Sequence, residues 1–247
     1  VGGEYKPEEN KFDHHQESFK LQRENGIGYS SAGLAWKHFG EKVAGSYEVW
    51  QKIDEKIIQY IDAEDVGISL TKNNFEGISP YFFGDYIDSF NPTSLEKDEN
   101  SLKSFEGAVE ITKKMFQREI KRAQDKIASS KPVKDVYERT EDKRLIVLDN
   151  YYSWDDVLTN YLEPIFVIYP RLDTDTWGVQ AVGVKGFQFK NRLDLPEAWA
   201  GKMGDELVKI TGIPDAVFCH KARFIAGAKS KEGAIALAKL ALSQNNQ

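Results

Sequence analysis

Hydrophobic residues recur at two different spacings along this chain. In the first half they fall three and four residues apart. Trp50, Ile53, Ile57 and Ile61 mark one face of a helix over about Tyr47 to Ile61, with Asp, Glu and Lys between them. Phe105, Val109, Phe116, Ile120, Ala123 and Ile127 predict the buried stripe of a long helix over about Leu102 to Ala128. Ser129-Ser130-Lys131-Pro132 predicts its end. A shorter helix spans Ser30 to Gly40, with a serine able to cap its start and a glycine where a stop is expected. Residues 1–29 and 70–100 carry no period and are rich in turn formers. Within them, Val1-Gly2-Gly3 reads as a strand end entering a turn, and Tyr81-Phe82-Phe83 either packs or lines a site.

After about residue 140 the pattern shortens. Arg144–Leu148, Ile165–Tyr169, Trp177–Val182, Ala216–His220 and Phe224–Ala226 read as strands, and Lys231 to Leu242 as a final helix. Helices first and strands afterwards predict two domains, 1–138 and 139–247, within an α/β fold. A chain of 247 residues is long enough for both. Trp36, Trp50, Phe105 and Phe116 are expected in the core, and His38 at its edge. Gly227 and Gly233 are expected in turns, with close backbone approach to a ligand as the alternative.

Composition narrows the chemistry. Hydrophobic residues at 40% and charged residues at 29% predict a soluble globular protein. The net charge of −6 gives no global basic field, so a phosphate-bearing ligand needs a local cluster or metal ions. Lys190-Asn191-Arg192 and His220-Lys221-Ala222-Arg223 are such clusters. Arg192, His220 and Arg223 are candidate substrate-binding residues, because a guanidinium makes bidentate phosphate contacts. A structural ion pair explains them equally well. The single Cys219 excludes an internal disulfide and fits a reducing compartment. No apolar run approaches the roughly 18 residues of a membrane span, and no signal peptide is visible.

The sharpest feature is Asp13-His14-His15, which holds half of the four histidines. Carboxylate and imidazole both suit a divalent ion such as Mn²⁺. On a regular strand neighbouring side chains point to opposite faces, so both histidines serve one site only if the backbone turns there. The alternative is a solvated pair on a polar loop. Asp62-Ala63-Glu64-Asp65-Val66-Gly67 places carboxylates at a helix C-terminus, against the dipole. A metal would supply the offsetting cation. The alternative is an ordinary acidic turn.

Several segments together resemble the melanocyte-proliferating-gene protein family, relatives of the DHH phosphoesterases. They are VGGEYKPEENKFDHHQ at the start, Tyr29–Gly40, IDAEDVGIS at Ile61–Ser69, Arg192–Gly201 and Gly212–His220. The resemblance covers essentially the whole chain. It implies a two-domain DHH phosphoesterase-like fold with the active site in the inter-domain cleft. It also implies a divalent metal centre, Mn²⁺ with Mg²⁺ as the alternative, and an exonuclease acting on RNA from the 3′ end. RNA or a nucleotide is the expected substrate, a second copy of the chain a further partner, and a membrane none. The expected compartment is the mitochondrion or nucleus of a eukaryote, or the cytoplasm of a bacterium.

Carried onto this chain, Asp13 and His14 belong to the metal centre. His15 meets the phosphate or acts as general acid. Asp65 is the later acidic ligand, with Val66 where the family has Asn. The family opens with H-x-G-x-F-H-x-D-[DE] and an Asp before Val-Gly-Gly, which this chain lacks because it begins at Val1. The expectation is a missing upstream segment and a fragment inactive, or nearly so, by itself. Two other readings stay open. One is a phosphodiesterase or pyrophosphatase for small nucleotides, and the other a non-catalytic binding protein that keeps the fold.

Overall fold

The computed structural model describes residues 3–96, 101–172 and 174–244. Val1 and Gly2, part of the expected strand end, lie outside the described residues. The architecture is mixed α/β, and the chain divides into two compact units, Val1–Gln124 and Asp125–Gln247. Among the described residues no helix is long and apolar enough to cross a membrane.

The first unit opens with an antiparallel pair, β1 (Tyr5–Lys6) and β2 (Lys11–Phe12), where the sequence predicts only loop. Helix α1 (Ser31–Ala44) starts at Ser30, whose hydroxyl accepts the N–H groups of Ala32 and Gly33. It does not stop at Gly40. A Cβ there would lie 2.5 Å from the Trp36 ring and 2.7 Å from Trp50, so Gly40 is needed for close packing. The stop is Gly45, at φ 87°, whose N–H bonds to the Glu41 carbonyl.

Helix α2 (Tyr47–Ile53) passes through one π-helical turn (Asp54–Ile58) into α3 (Gln59–Asp65). The π turn adds a residue to the period, so burial steps from Ile53 to Ile58 and leaves Ile57 half-buried. The helix also continues past Ile61 to Asp65, so most of the expected acidic turn is helical. A short α4 (Phe83–Asp88) breaks the irregular stretch.

Helix α5 (Ser101–Arg139) differs from expectation at both ends. Phe105 and Val109 are exposed, at 63% and 44%, and the buried positions in the first unit are Ala108, Ile120 and Ala123. Periodicity identifies an apolar face but not whether anything covers it. Pro132 stands inside the helix instead of ending it. A proline there costs about 3 kcal/mol. Burial of Val133, Val136 and Tyr137 just beyond it, at about 1.5–3 kcal/mol per side chain, outweighs that cost.

The second unit is built on a five-stranded sheet of order β3-β4-β5-β7-β6. Its strands are β3 (Leu145–Val147), β4 (Phe166–Pro170), β5 (Trp177–Ala181), β6 (Ala216–Cys219) and β7 (Ile225–Ala228). Only β3 and β4 are parallel, and the chain between them carries α6 (Asp155–Leu158). Strand β4 is buried on both faces. Phe166 and Ile168 join a core with Trp199, with Leu207 of α7 (Gly204–Thr211) and with Leu237 of α8 (Lys231–Gln244). Val167 and Tyr169 join another with Val133, Trp154 and Leu158. Gly227 lies in β7, where a Cβ would come 2.6 Å from the Phe218 ring, so it serves strand packing and not a turn.

Candidate metal centre

The hairpin delivers Asp13. Phe12 is buried at the end of β2, and after it the backbone leaves strand geometry. The rings of His14 and His15 therefore come side by side, with centroids 4.1 Å apart, and do not point to opposite faces. Asp13 Oδ1 accepts the His15 backbone N–H at 2.9 Å and its Nδ1–H at 2.7 Å. Asp13 Oδ2 accepts the Gly3 N–H at 3.1 Å. The His15 backbone donor, then its ring, hold the Asp13 carboxyl down to about 2, so it is an anion at neutral pH.

His14 is fixed from two other segments. Its Nδ1 accepts the N–H of Ser31, the first residue of α1, at 3.1 Å, with Ser31 Oγ at 3.2 Å. Its Nε2 lies 3.1 Å from Oδ2 of Asp65, the last residue of α3. With Nδ1 accepting, Nε2 carries the proton that faces Asp65. Ser31 also offers an acceptor in its hydroxyl. A cation at Nε2 would require the proton on Nδ1, which exchanges the bond from the Ser31 N–H for one to that hydroxyl.

Among the described residues, one group of three such side chains sits close enough to share an ion. It is Asp13, His14 and His15, whose ligand atoms all lie within 4.8 Å of one another. One carboxylate and two imidazoles, with Asp65 facing His14, form a donor set of the kind that a borderline divalent cation takes. Asp13 and His14 are largely enclosed, with side chains 14% and 13% exposed, whereas His15 is 75% and Asp65 51% exposed.

A family model, MYG1_exonuc, described as an uncharacterised protein family (UPF0160), matches residues 1–242. The chain belongs to this family. The MYG1 protein of Dictyostelium discoideum is 30% identical over 277 residues, covering 99% of this chain and 82% of its own. The MYG1 exonuclease of Homo sapiens is 28% identical over 284 residues, covering 100% of this chain and 74% of its own. The MYG1 protein of Chlamydia trachomatis is 28% identical over 251 residues, covering 99% and 80%. No solved structure matches.

Residues outside the predicted ligand set hold the pieces of this candidate site in place. Asp62, fully buried on α3, accepts the Ser30 N–H at 3.1 Å, the Ser30 hydroxyl at 2.5 Å and the Gly33 N–H at 3.0 Å. Arg23 donates to Asp62 Oδ2 at 2.5 Å and forks onto Asp54 at 2.8 and 3.2 Å, with its guanidinium 4.1 Å from the Tyr29 ring. The network locks the start of α1, which presents Ser31 to His14, against α3, which ends in Asp65. One signal was available. Asp54 and Asp62 directly neighbour Ile53 and Ala63 on the apolar side of their helix, and a charge there requires a buried partner.

The other predicted site residues of this MYG1-family chain belong to the second unit. Arg192 gives its guanidinium to the carbonyls of Pro164 at 2.9 Å and Thr159 at 3.0 Å. His220 Nδ1 accepts the Ala222 N–H at 3.1 Å, and its ring lies 4.7 Å from Phe224. Arg223 holds a left-handed φ of 59° and donates to Asp194 at 3.3 Å and to the Leu195 carbonyl at 3.4 Å. His38, in the first unit, shares a hydrogen bond of 2.9 Å with the Tyr5 hydroxyl and packs beside Phe12. Phe82 lines a shallow apolar pocket with Tyr60, Glu64, Ile68 and Leu70.

Proposed function

We propose that this chain is a divalent-metal-dependent nuclease that shortens RNA from its 3′ end. The observation that carries the reading is the convergence of Asp13, His14 and His15 at one point, with Asp65 facing His14. The human relative's name, MYG1 exonuclease, supports the reaction class. Asp13, His14 and Asp65 would hold the ion, Mn²⁺ with Mg²⁺ as the alternative. A divalent ion neutralises phosphate charge and makes water a nucleophile at neutral pH.

The chain's own groups do the rest. Asp13 stays ionised and takes the Nδ1–H of His15, which leaves His15 Nε2 to face solvent and substrate. When doubly protonated, the ring can donate its Nε2–H to a non-bridging phosphate oxygen or protonate the leaving oxygen. Arg223 and His220 are kept as candidate grips on the remainder of the strand. Arg192 gives its guanidinium to the carbonyls of Pro164 and Thr159.

The test is end-labelled short RNA incubated with Mn²⁺ and the protein at its full natural length, beside a His15→Ala variant. The expected result is stepwise loss of 3′ nucleotides, stopped by chelator. The variant should bind Mn²⁺ in calorimetry yet cleave about a hundredfold or more slowly, the scale of a lost acid–base group. Mn²⁺ binding with intact RNA would remove the RNA assignment. Absence of Mn²⁺ binding would remove the metal centre itself.

A further inference from the structure

Residues 183–192, just beyond β5, read GVKGFQFKNR. They carry three cations, two phenylalanines and no carboxylate, in a chain of net charge −6. The neck of this loop is fastened. Gly183 and Asn191 form an antiparallel bridge, Lys190 O accepts the Val184 N–H at 2.8 Å, and Val182 O accepts the Arg192 N–H at 2.9 Å. The Arg192 guanidinium clamps the neck to the carbonyls of Thr159 and Pro164, and Lys185 Nζ donates to Asn160 Oδ1 at 2.6 Å.

The tip does the opposite of what apolar side chains ordinarily do. Phe187 is 62% exposed and Phe189 fully exposed, at 101%. Phe189 also holds φ 58°, a left-handed conformation that bulky residues rarely adopt. Lys190 Nζ lies 5.1 Å from the Phe187 ring centroid. Packing accounts for none of this. Exposed aromatic rings flanked by cations on a fastened neck match the requirements of one ligand class. Unpaired bases stack on such rings while the phosphates meet the lysines.

We propose that Lys185–Lys190 is a stacking platform for unpaired bases of a single-stranded nucleic acid, with Lys185 and Lys190 at its phosphates. The inference rests on the nucleic-acid reading above and adds where the second unit holds the strand. Stacking tolerates any base, because every base has a π face. An enzyme that removes successive nucleotides needs a grip of that kind.

The test measures fluorescence anisotropy of a labelled oligouridylate of about twelve nucleotides in chelator, so that nothing is cleaved. A matched abasic strand, phosphatidylserine vesicles and Mn²⁺-supported hydrolysis of bis(p-nitrophenyl) phosphate run beside it. Phe187→Ala/Phe189→Ala should weaken oligouridylate binding about tenfold or more and bring it level with the abasic strand. Its melting temperature and its hydrolysis of the small diester should match the parent. Lys185→Ala/Lys190→Ala should weaken both strands alike and flatten the salt dependence.

Parent-like oligouridylate binding by the phenylalanine variant overturns the platform while small-diester hydrolysis keeps the metal centre. Equal binding of oligouridylate and abasic strand by the parent, or no strand binding at all, also overturns it. So does a variant that loses vesicles and keeps the strand. Strand binding through the two phenylalanines without diester hydrolysis supports the platform and removes the metal reading instead.

Discussion

A methyl group at Gly33 should unseat the candidate centre from a distance. A Cβ there would lie 2.0 and 2.4 Å from the Asp62 carboxylate oxygens, which must retreat about 1.4 Å to reach ordinary contact at 3.4 Å. The carboxylate is fully buried and held by Ser30, Gly33 and Arg23. A shift of that size carries its bonds of 3.0 and 3.1 Å past the 3.5 Å limit. Each bond to a charged acceptor contributes about 1.5–3 kcal/mol, and breaking a buried ion pair costs about 3–5 kcal/mol. Gly33→Ala should therefore lose about 3–5 kcal/mol in urea denaturation followed by circular dichroism. It should also weaken Mn²⁺ binding in calorimetry, because the same helix start holds Ser31 against His14.

The second unit supplies a matched control. Ser230 gives its N–H and hydroxyl to Asp215 at 2.9 and 2.5 Å, and a Cβ on Gly233 would come 2.1 Å from that carboxylate. Gly233 is therefore another packing glycine and not a turn residue. Gly233→Ala should destabilise the protein while the folded fraction binds Mn²⁺ like the parent. A loss below about 1 kcal/mol in Gly33→Ala would refute the packing argument. An equal loss of Mn²⁺ affinity in both variants would refute the link from Asp62 to His14.

Two further outcomes follow from the core. Gly40→Ala should cost about 1–3 kcal/mol and shift tryptophan emission, since the added Cβ meets the rings of Trp36 and Trp50 at 2.5 and 2.7 Å. Burial pushes the Cys219 thiol up to about 11 from 9.0, so iodoacetamide at pH 8 should label it only after unfolding. The folded state then holds a proton that the unfolded state releases. Its contribution to stability is complete below pH 9 and should fall as pH rises from 9 to 11, a loss that Cys219→Ala removes.

Strand β4 was legible because burial on both faces writes itself as an unbroken apolar run. Ile165–Tyr169 needed no alternation to be recognised, and β4 covers Phe166–Pro170. Helix boundaries were less legible, because one residue type serves two physical ends. Gly40 reads as a stop through its backbone freedom, but the structure uses its small size against Trp50, and Gly45 provides the left-handed stop. Pro132 reads as a break, yet the apolar contacts beyond it outweigh the bond it forfeits. A π turn shifts the buried phase by one residue, which no fixed period of 3.6 anticipates.

The candidate site divides along the same line between local and distant information. The adjacency of Asp13, His14 and His15 is local, and so was visible. Asp65 entered as one carboxylate of an acidic helix end, and as a named ligand only through the family resemblance. Asp62, Arg23 and Ser31 act across separations of 17 to 39 residues, and the apolar setting of Asp62 signals a buried partner without naming it. The acidic end of α3 illustrates the difference. The sequence argued that carboxylates opposing a helix dipole require a cation, and offered a metal. For Asp62 the cation is Arg23, and the helix start of α1 supplies the remaining donors. Asp65, three residues later and half exposed, faces His14 Nε2 at the edge of the Asp13–His15 cluster. Asp62 is thus held in a structural ion pair, whereas Asp65 is a ligand only on the proposed function. Replacing the two should therefore differ in kind, Asp62 through stability and Asp65 through metal affinity.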